Sequence, residues 1–208
     1  SLSLLGLSPE DIDIVLMTHM HHDHSGGLTR VNDQGELVSK YSNAKIIVND
    51  VEWYEMRNPN NRTRGTYLRE NWEPIQDQVT TFSEYINVIP EIQMIHTSGH
   101  SNGHSIILLK QGKDTMIHMG DLMLSHVHRN PLWVPAVDDY PMKSILAKEK
   151  WLRQAFENHY KFFFYHDQFF AVVEFDKEGK ELVDYVLRSR PPLIPFTDEQ
   201  DRKPDFLG

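Results

Sequence analysis

Cysteine is absent from the 208 residues of this chain. Without it there is no disulfide framework, no thiolate nucleophile and no cysteine-ligated metal. A chain without cysteine is compatible with the reducing cytoplasm, which is the location we expect. Long hydrophobic runs are missing as well: the longest, residues 12–17 and 162–165, are far shorter than the roughly 20 residues that cross a bilayer. The sequence therefore predicts no membrane-spanning segment.

Basic residues are scarce. Lys and Arg total 21 against 30 Asp and Glu, which gives a net charge of −9, and only Arg62, Arg64 and Arg69 lie near one another in the sequence. Domains that bind nucleic acid through its phosphates carry a basic face. We therefore expect a small-molecule substrate and no nucleic-acid partner.

The composition that remains is typical of a globular protein, with 39% hydrophobic and 25% charged residues. A chain of this length can bury the core of one domain. We assign residues 1–188 to that domain and the proline-containing residues 189–208 to an extended tail.

Strands and helices alternate along the chain, which predicts the α/β class (α+β in some schemes). Apolar and β-branched runs predict strands at 13–18, 44–48, 85–89, 92–96, 105–110, 115–119, 161–165 and 171–175. Helices are predicted at 50–56 with Asp50 as the N-cap, at 66–79 and at 141–160, and residues 181–187 fit either a helix or a strand. Residues 125–140 form a long loop in this interpretation.

Histidine is the residue type that stands out, with 12 in the chain. The pattern H-x-H-x-D-H runs from His19 to His24, directly after a predicted strand. Three further polar residues, His100, Asp121 and His166, each follow another predicted strand. Ligands at strand ends along one sheet edge are how α/β sites are commonly built. The alternative, a solvated polar loop, does not account for the other three positions.

These motifs resemble those of the metallo-β-lactamase superfamily of hydrolases, over a stretch from about Asp13 to about Asp167. The resemblance implies an αββα sandwich with a metal site at one edge. It also implies two metal ions held by seven residues: His19, His21 and His100 for the first, Asp23, His24 and His166 for the second, and Asp121 bridging both.

Neutral imidazoles and carboxylates suit zinc, and also manganese, iron or cobalt. Two divalent ions about 3.5–4 Å apart can share a hydroxide, because they acidify water towards neutrality. Under this hypothesis two ions bring four positive charges, and Asp23, Asp121 and the hydroxide return three. The site would then be locally positive within an acidic protein.

Other residues near the motifs have two interpretations each. His104 lies in a segment similar to the family's G-H-x-x-G-H, so it either supports the metal ligands or is a plain loop residue. Trp133 and Tyr140, with Phe169 and Phe170, either line a substrate pocket or pack in the core. We expect His22 to point away from the metals, and His126 and His128 to lie on the surface or in a substrate pocket.

A bridging Asp121 favours the glyoxalase II, lactonase and organophosphate-hydrolase branches of the family over the β-lactamases proper. The segments 120–141 and 163–167 are similar to those of the quorum-quenching N-acyl homoserine lactonases, with methyl parathion hydrolase a more distant relative. This similarity implies that the hydroxide opens a lactone or ester, with Asp23 taking or delivering a proton. No tyrosine matches the one that some lactonases aim at the carbonyl, and Tyr140 is only a candidate.

Two kinds of alternative to a lactonase or esterase stay open: another enzyme class on the same fold, or an incomplete, non-catalytic metal-binding domain. The site could serve a phosphotriesterase or a glyoxalase II-like thioesterase. An RNA-processing nuclease has the same fold but is disfavoured by the acidity of the chain. The domain could also bind metal without catalysis.

The family fold places several strands before the histidine motif, whereas eighteen residues precede His19 here. We therefore expect the N-terminal strands to be absent from this chain. A sheet without them would expose an edge, which the tail, a homodimer partner or a separate N-terminal piece would have to cover.

Overall fold

A computed structural model describes residues 2–188. Its strands are β1 (Ile14–Leu16), β2 (Thr29–Val31), β3 (Leu37–Ser39), β4 (Lys45–Asn49), β5 (Val79–Phe82), β6 (Tyr85–Ile89), β7 (Ile92–His96), β8 (Ser105–Gln111), β9 (Asp114–His118), β10 (Lys161–Phe163), β11 (Phe170–Phe175) and β12 (Leu182–Leu187). Its α-helices are α1 (His22–Ser25), α2 (Asp50–Arg57) and α3 (Pro141–Glu157). Short 3₁₀ turns lie at Leu2–Leu5, Pro9–Asp11, Gly26–Leu28, Thr63–Gly65, Arg69–Asn71, Glu73–Gln78, Gly120–Met123 and His126–Arg129.

Two main sheets organise these strands. The smaller is parallel, in the order β1-β4-β5. The larger runs β12-β11-β10-β9-β8-β7-β6 and is antiparallel except where β10 pairs parallel with β9. The parallel pair requires a crossover connection, and α3 lies in that connection. A separate hairpin joins β2 and β3 around the turn at residues 32–35.

Strand β4 shows why the two sheets stack. Successive side chains of a strand point to opposite faces. Ile46 and Val48 pack in one cluster with Trp53 and Met56 of α2. Ile47 faces the other way and packs with core residues of the larger sheet, including Met94 and Ile107. The apolar run of β4 therefore has one face under a helix and the other between two sheets.

Helix α3 covers the outer face of the larger sheet. Its Trp151 and Ala155 belong to one buried cluster with Ile117, Phe162 and Val173 of the strands. The layers are thus helix, sheet, sheet and helix, and the predicted αββα sandwich is confirmed.

Some local predictions were wrong. Residues 66–79 do not form an α-helix; they form 3₁₀ turns that lead into β5. Pro74 has no backbone N–H to donate within a helix. The β-branched residues 79–81 favour a strand, and they pair with β4, with Thr80 opposite Ile47. Residues 181–187, which fit either element, form β12.

Two helix ends also differ from expectation. Helix α2 is capped by Asn49 rather than by Asp50, since the Asn49 side chain accepts from the Val51 backbone N–H at 3.0 Å. Helix α3 ends at Glu157, two residues before His159 turns into the left-handed region with φ of 55°. The predicted tail lies outside the described residues. Within residues 2–188 no helix is both long and apolar enough to cross a bilayer.

Candidate metal centre

The seven residues predicted as ligands come from four places that meet at one edge of the sandwich. His19 and His21 lie in the turn after β1, and Asp23 and His24 lie on α1, which follows at once. His100 is in the loop between β7 and β8. Asp121 is in the 3₁₀ turn after β9, and His166 follows β10. Each position lies just beyond the carboxyl end of a strand, or on the short helix that follows one.

The first group consists of His19, His21 and His100, which are all buried. Each can offer a ring nitrogen so that the three atoms lie within 4.8 Å of one another. His100 Nε2 is 3.0 Å from His21 Nδ1. Three imidazoles from loops far apart in sequence therefore converge on one small volume.

The second group consists of Asp23, His24, Asp121 and His166. His24 Nε2 is 3.2 Å from His166 Nε2 and 3.5 Å from Asp23 Oδ2. This group is more open than the first, because the side chains of Asp23 and His166 are 48% and 38% exposed. Solvent and small molecules can reach it from outside.

The Asp121 carboxylate lies between the two groups. Its Oδ2 is 3.5 Å from His100 Nε2 and 4.0 Å from His19 Nε2. Its Oδ1 is 3.3 Å from His24 Nε2 and 3.4 Å from His166 Nε2. One oxygen thus faces each group, which is the placement that a bridging ligand requires.

The ionisation of His19, His21 and Asp121 favours metal binding, whereas carboxylates raise the pKa of two further histidines. Burial lowers the pKa of His100, but Asp138 and Asp121 outweigh it, and Asp121 raises the pKa of His166. Burial, together with the neighbouring His24 and His100 rings, holds the pKa of His19 well below its usual range. Burial, then His100, lowers the pKa of His21 to about 3. Burial raises the pKa of Asp121, but His166 and His24 outweigh it and the pKa lies well below its ordinary value. Neutral imidazoles and an ionised carboxylate are the forms that bind metals.

The arrangement also fits a metal geometrically. With Zn–N bonds of about 2.0–2.1 Å, nitrogens in a tetrahedral site lie about 3.3–3.4 Å apart. The contacts of 3.0 Å between His100 and His21 and of 3.2 Å between His24 and His166 are close to this spacing. His19 Nε2 is buried and has no hydrogen-bond partner among the described residues. The residues present fit two divalent cations.

His104 supports Asp121 rather than joining either group. Its side chain is fully buried, and its Nε2 accepts the backbone N–H of Asp121 at 3.2 Å. Its Nδ1 therefore carries the proton and faces Thr97 Oγ1 at 3.1 Å. Gly120 makes this approach possible, because its φ is 53° and a Cβ there would lie 2.5 Å from His104 Nε2.

Asp138 is a residue that sequence reasoning missed. Its Oδ1 is 2.9 Å from Nδ1 of His100, and both side chains are buried. A carboxylate in this place selects the tautomer that leaves His100 Nε2 free as a ligand. Nothing in the run Asp138-Asp139 distinguishes the two carboxylates, and Asp139 instead pairs with Arg62 at 2.5 Å.

Trp133 and Tyr140, the predicted pocket residues, contact residues outside the two groups. Trp133 is 57% exposed, and its backbone carbonyl accepts from Lys148 Nζ at 2.7 Å. Tyr140 is half-buried, its backbone N–H donates to Gly99, and the Lys143 ammonium lies 4.7 Å from its ring centroid. The aromatic ring beside His24 is that of the exposed Tyr165, with ring centroids 5.6 Å apart.

The other histidines have partners outside the groups. His22 is exposed. His126 Nδ1 lies 2.6 Å from Asp167 Oδ2, and His128 Nδ1 lies 2.9 Å from Ser125 Oγ. Neither His126 nor His128 belongs to the two groups of candidate ligands.

Comparison with known proteins agrees with this geometry. The sequence profile of the metallo-beta-lactamase superfamily matches residues 1–166. The chain belongs to the metallo-β-lactamase superfamily. The family predicted from the motifs is therefore confirmed.

Relatives within the superfamily are similar over part of their length. The chain is 30% identical over 116 residues to an N-acyl homoserine lactonase of Bacillus cereus, which covers 56% of this chain and 40% of that protein. It is 28% identical over 112 residues to the N-acyl homoserine lactonase AttM of Rhizobium radiobacter, covering 51% and 39%. The chain thus spans about 40% of the length of the curated relatives that it matches.

Solved structures show the same fold. A probable metal-dependent hydrolase from Staphylococcus aureus superposes with a TM-score of 0.86 and 39% identity, covering 91% of this chain and 67% of that one. The dizinc quorum-quenching lactonase AidC superposes with a TM-score of 0.75 over 92% of this chain and 69% of that one. At 19% identity this second likeness shows the fold alone.

Proposed function

We propose that this chain carries the site of a dinuclear metal-dependent hydrolase that opens a lactone or ester, with N-acyl homoserine lactones as the first substrates to test. The observation that carries the proposal is the placement of Asp121 between two ligand groups, one oxygen towards each. The names of the matched relatives point to lactones rather than to another ester.

Each residue has a defined part in this proposal. His19, His21 and His100 would hold the first ion, Asp23, His24 and His166 the second, and Asp121 both. Zinc ions bound there would polarise the substrate carbonyl and lower the pKa of a water molecule. Zinc is the metal we propose, and manganese, iron and cobalt suit the same donors.

Asp23 is the residue that we propose for proton transfer. Its carboxylate is half-exposed, so a substrate can reach it, yet Oδ2 stays within 3.8 Å of both His24 Nε2 and His166 Nε2. It could therefore accept a proton from the attacking water and donate it to the departing alkoxide while remaining in the second group. Tyr165, exposed beside His24, would form one wall of the approach.

The test is metal content and hydrolysis measured on the same samples of the 208-residue chain. After loading with zinc we expect about two ions per chain, and hydrolysis of an acyl homoserine lactone in preference to a thioester or a phosphotriester. His21→Ala should bind one ion fewer and lose at least about 100-fold in hydrolysis, since residues of one site act as a unit. The matched control is His22→Ala, which removes an exposed imidazole from the next position.

Two results would contradict the proposal. One is less than one bound zinc per chain after loading. The other is a His21→Ala variant that hydrolyses the lactone as fast as His22→Ala. A preference for the thioester or the phosphotriester would leave the metal site standing and replace the lactone as substrate.

A further inference from the structure

Glu52 lies on α2, outside every motif that pointed to metal, yet its side chain is completely buried. Its hydrogen-bond donors are all neutral groups: the Met20 backbone N–H, the Tyr67 hydroxyl and the Ser101 hydroxyl. A buried carboxylate is unfavourable unless hydrogen bonds or an opposite charge compensate it. The position therefore calls for an explanation beyond packing.

The three donors show what this carboxylate joins. Glu52 Oε1 accepts from Met20 N at 2.8 Å and from Tyr67 Oη at 3.0 Å, and Oε2 accepts from Ser101 Oγ at 2.6 Å. Met20 lies between His19 and His21, and Ser101 follows His100. One side chain thus connects both loops that supply the first ligand group.

The His100 loop is also packed directly against the backbone at Glu52. A Cβ on Gly103 would lie 2.1 Å from the Glu52 backbone nitrogen, closer than any real contact. Tyr67, which donates to Glu52, has its ring centroid 5.2 Å from that of His21. The carboxylate, the two loops and the tyrosine form one buried assembly next to the imidazoles.

Charge gives a second reason for a glutamate here. The first group consists of three imidazoles, which bring no negative charge to a divalent cation. The Asp121 carboxylate is shared with the second group. Burial raises the pKa of the Glu52 carboxyl, although its three hydrogen-bond donors oppose this. In its ionised form, a carboxylate bonded to the backbone between two of the ligands lowers the energy of a cation held by them, because the interior screens charge weakly.

We propose that Glu52 is a positioning residue for the first metal ion. It fixes the His19–His21 turn and the His100 loop relative to each other and supplies negative charge next to the imidazoles. This inference rests on the proposed function, since it assumes that the first group binds a metal. It assigns to Glu52 no contact with the metal or with substrate.

The test measures the affinity of each zinc ion by competition with a chromophoric chelator, and the visible absorption of the cobalt-loaded protein. Glu52→Gln keeps the shape of the side chain and removes its charge. We expect the first ion to bind at least about tenfold more weakly, as is usual when support behind a ligand is lost, and the cobalt bands to change. The second ion should stay within about threefold of the wild type.

Glu55→Gln is the matched control. Glu55 lies on the same helix and touches the same loop, since Asn102 Nδ2 donates to its Oε1 at 2.7 Å, but it is only half-buried and makes no hydrogen bond to the His19–His21 turn. Removing its charge should change neither affinity by more than about threefold.

The outcomes separate this inference from the proposed function. A wild-type chain that binds no zinc defeats the proposed function, and this inference with it. A zinc-binding wild type with an unchanged Glu52→Gln variant defeats only the inference. So does a variant in which both ions weaken equally and the melting temperature of the metal-free protein falls in parallel. If Glu52→Gln does not fold, Ser101→Ala and Tyr67→Phe each remove one donor; selective weakening of the first ion supports the inference, and unchanged binding in both overturns it.

Discussion

The contact between His100 and Asp138 allows a prediction worked from the structure. Nδ1 of His100 lies 2.9 Å from Oδ1 of Asp138, and the side chains are 2% and 0% exposed. The carboxylate holds the proton on Nδ1, so the lone pair of Nε2 faces His21 and Asp121. Asp138→Ala removes this partner, whereas Asp138→Asn removes its charge and keeps an oxygen that can accept from Nδ1–H.

The size of the effect follows from the burial of the pair. A hydrogen bond to a charged group contributes about 1.5–3 kcal/mol. Loss of a carboxylate that orients a metal-ligating histidine costs about 10–100-fold in metal affinity. We therefore expect Asp138→Ala to weaken the first zinc ion by about 10–100-fold and to lower the free energy of unfolding of the metal-free protein by about 1.5–3 kcal/mol. Asp138→Asn should weaken the same ion less.

Zinc competition titrations and urea unfolding measure these two quantities. Asp139→Asn is the control, because its carboxylate pairs with a guanidinium that is 56% exposed, and exposed pairs contribute about 0–1 kcal/mol. Wild-type affinity for both zinc ions in a folded Asp138→Ala variant would refute the reasoning, as would an equal loss in Asp139→Asn.

Two predictions concern stability away from the ligands. Burial lowers the pKa of Lys148 to about 8. Between pH 8 and pH 10.5 the unfolded chain therefore holds a proton that the folded chain has lost, so the free energy of unfolding should rise across that window by on the order of 2–3 kcal/mol relative to Lys148→Met. Urea unfolding in which the free energy of unfolding of the two proteins changes equally between pH 7.5 and pH 10 would contradict this. Gly103→Ala would place a Cβ 2.1 Å from the Glu52 backbone nitrogen and should lower the free energy of unfolding by more than about 2 kcal/mol, whereas Gly27→Ala, with nothing within 4 Å of its added Cβ, should change it by less than about 1 kcal/mol.

Much of the candidate site could be predicted from the sequence, because its pattern is local. The spacing His19-x-His21-x-Asp23-His24 after a short apolar strand brings four candidate metal ligands together within six residues. His100, Asp121 and His166 also follow strands that are recognisable from their apolar runs. Helix α3 was predictable for the same reason, since its apolar residues recur at helical spacing over 17 residues.

Strand β5 shows where local patterns mislead. The polar stretch before Val79 has moderate helical character, but the pairing of residues 79–82 with β4 decides the outcome. That pairing joins segments more than thirty residues apart, and intrinsic propensity is weak against such contacts.

The amino-acid sequence by itself determined the family, eight of the twelve strands of the described residues and the identity of seven candidate ligands, because each depends on short local patterns. Only the tertiary structure decided which neighbours support those ligands. It selected Asp138 over Asp139 behind His100, buried Glu52 between two histidine loops, and put Tyr165 rather than Trp133 or Tyr140 beside His24. These differences depend on contacts between loops far apart in sequence. Two adjacent residues of the same type, such as Asp138 and Asp139, can therefore have different partners.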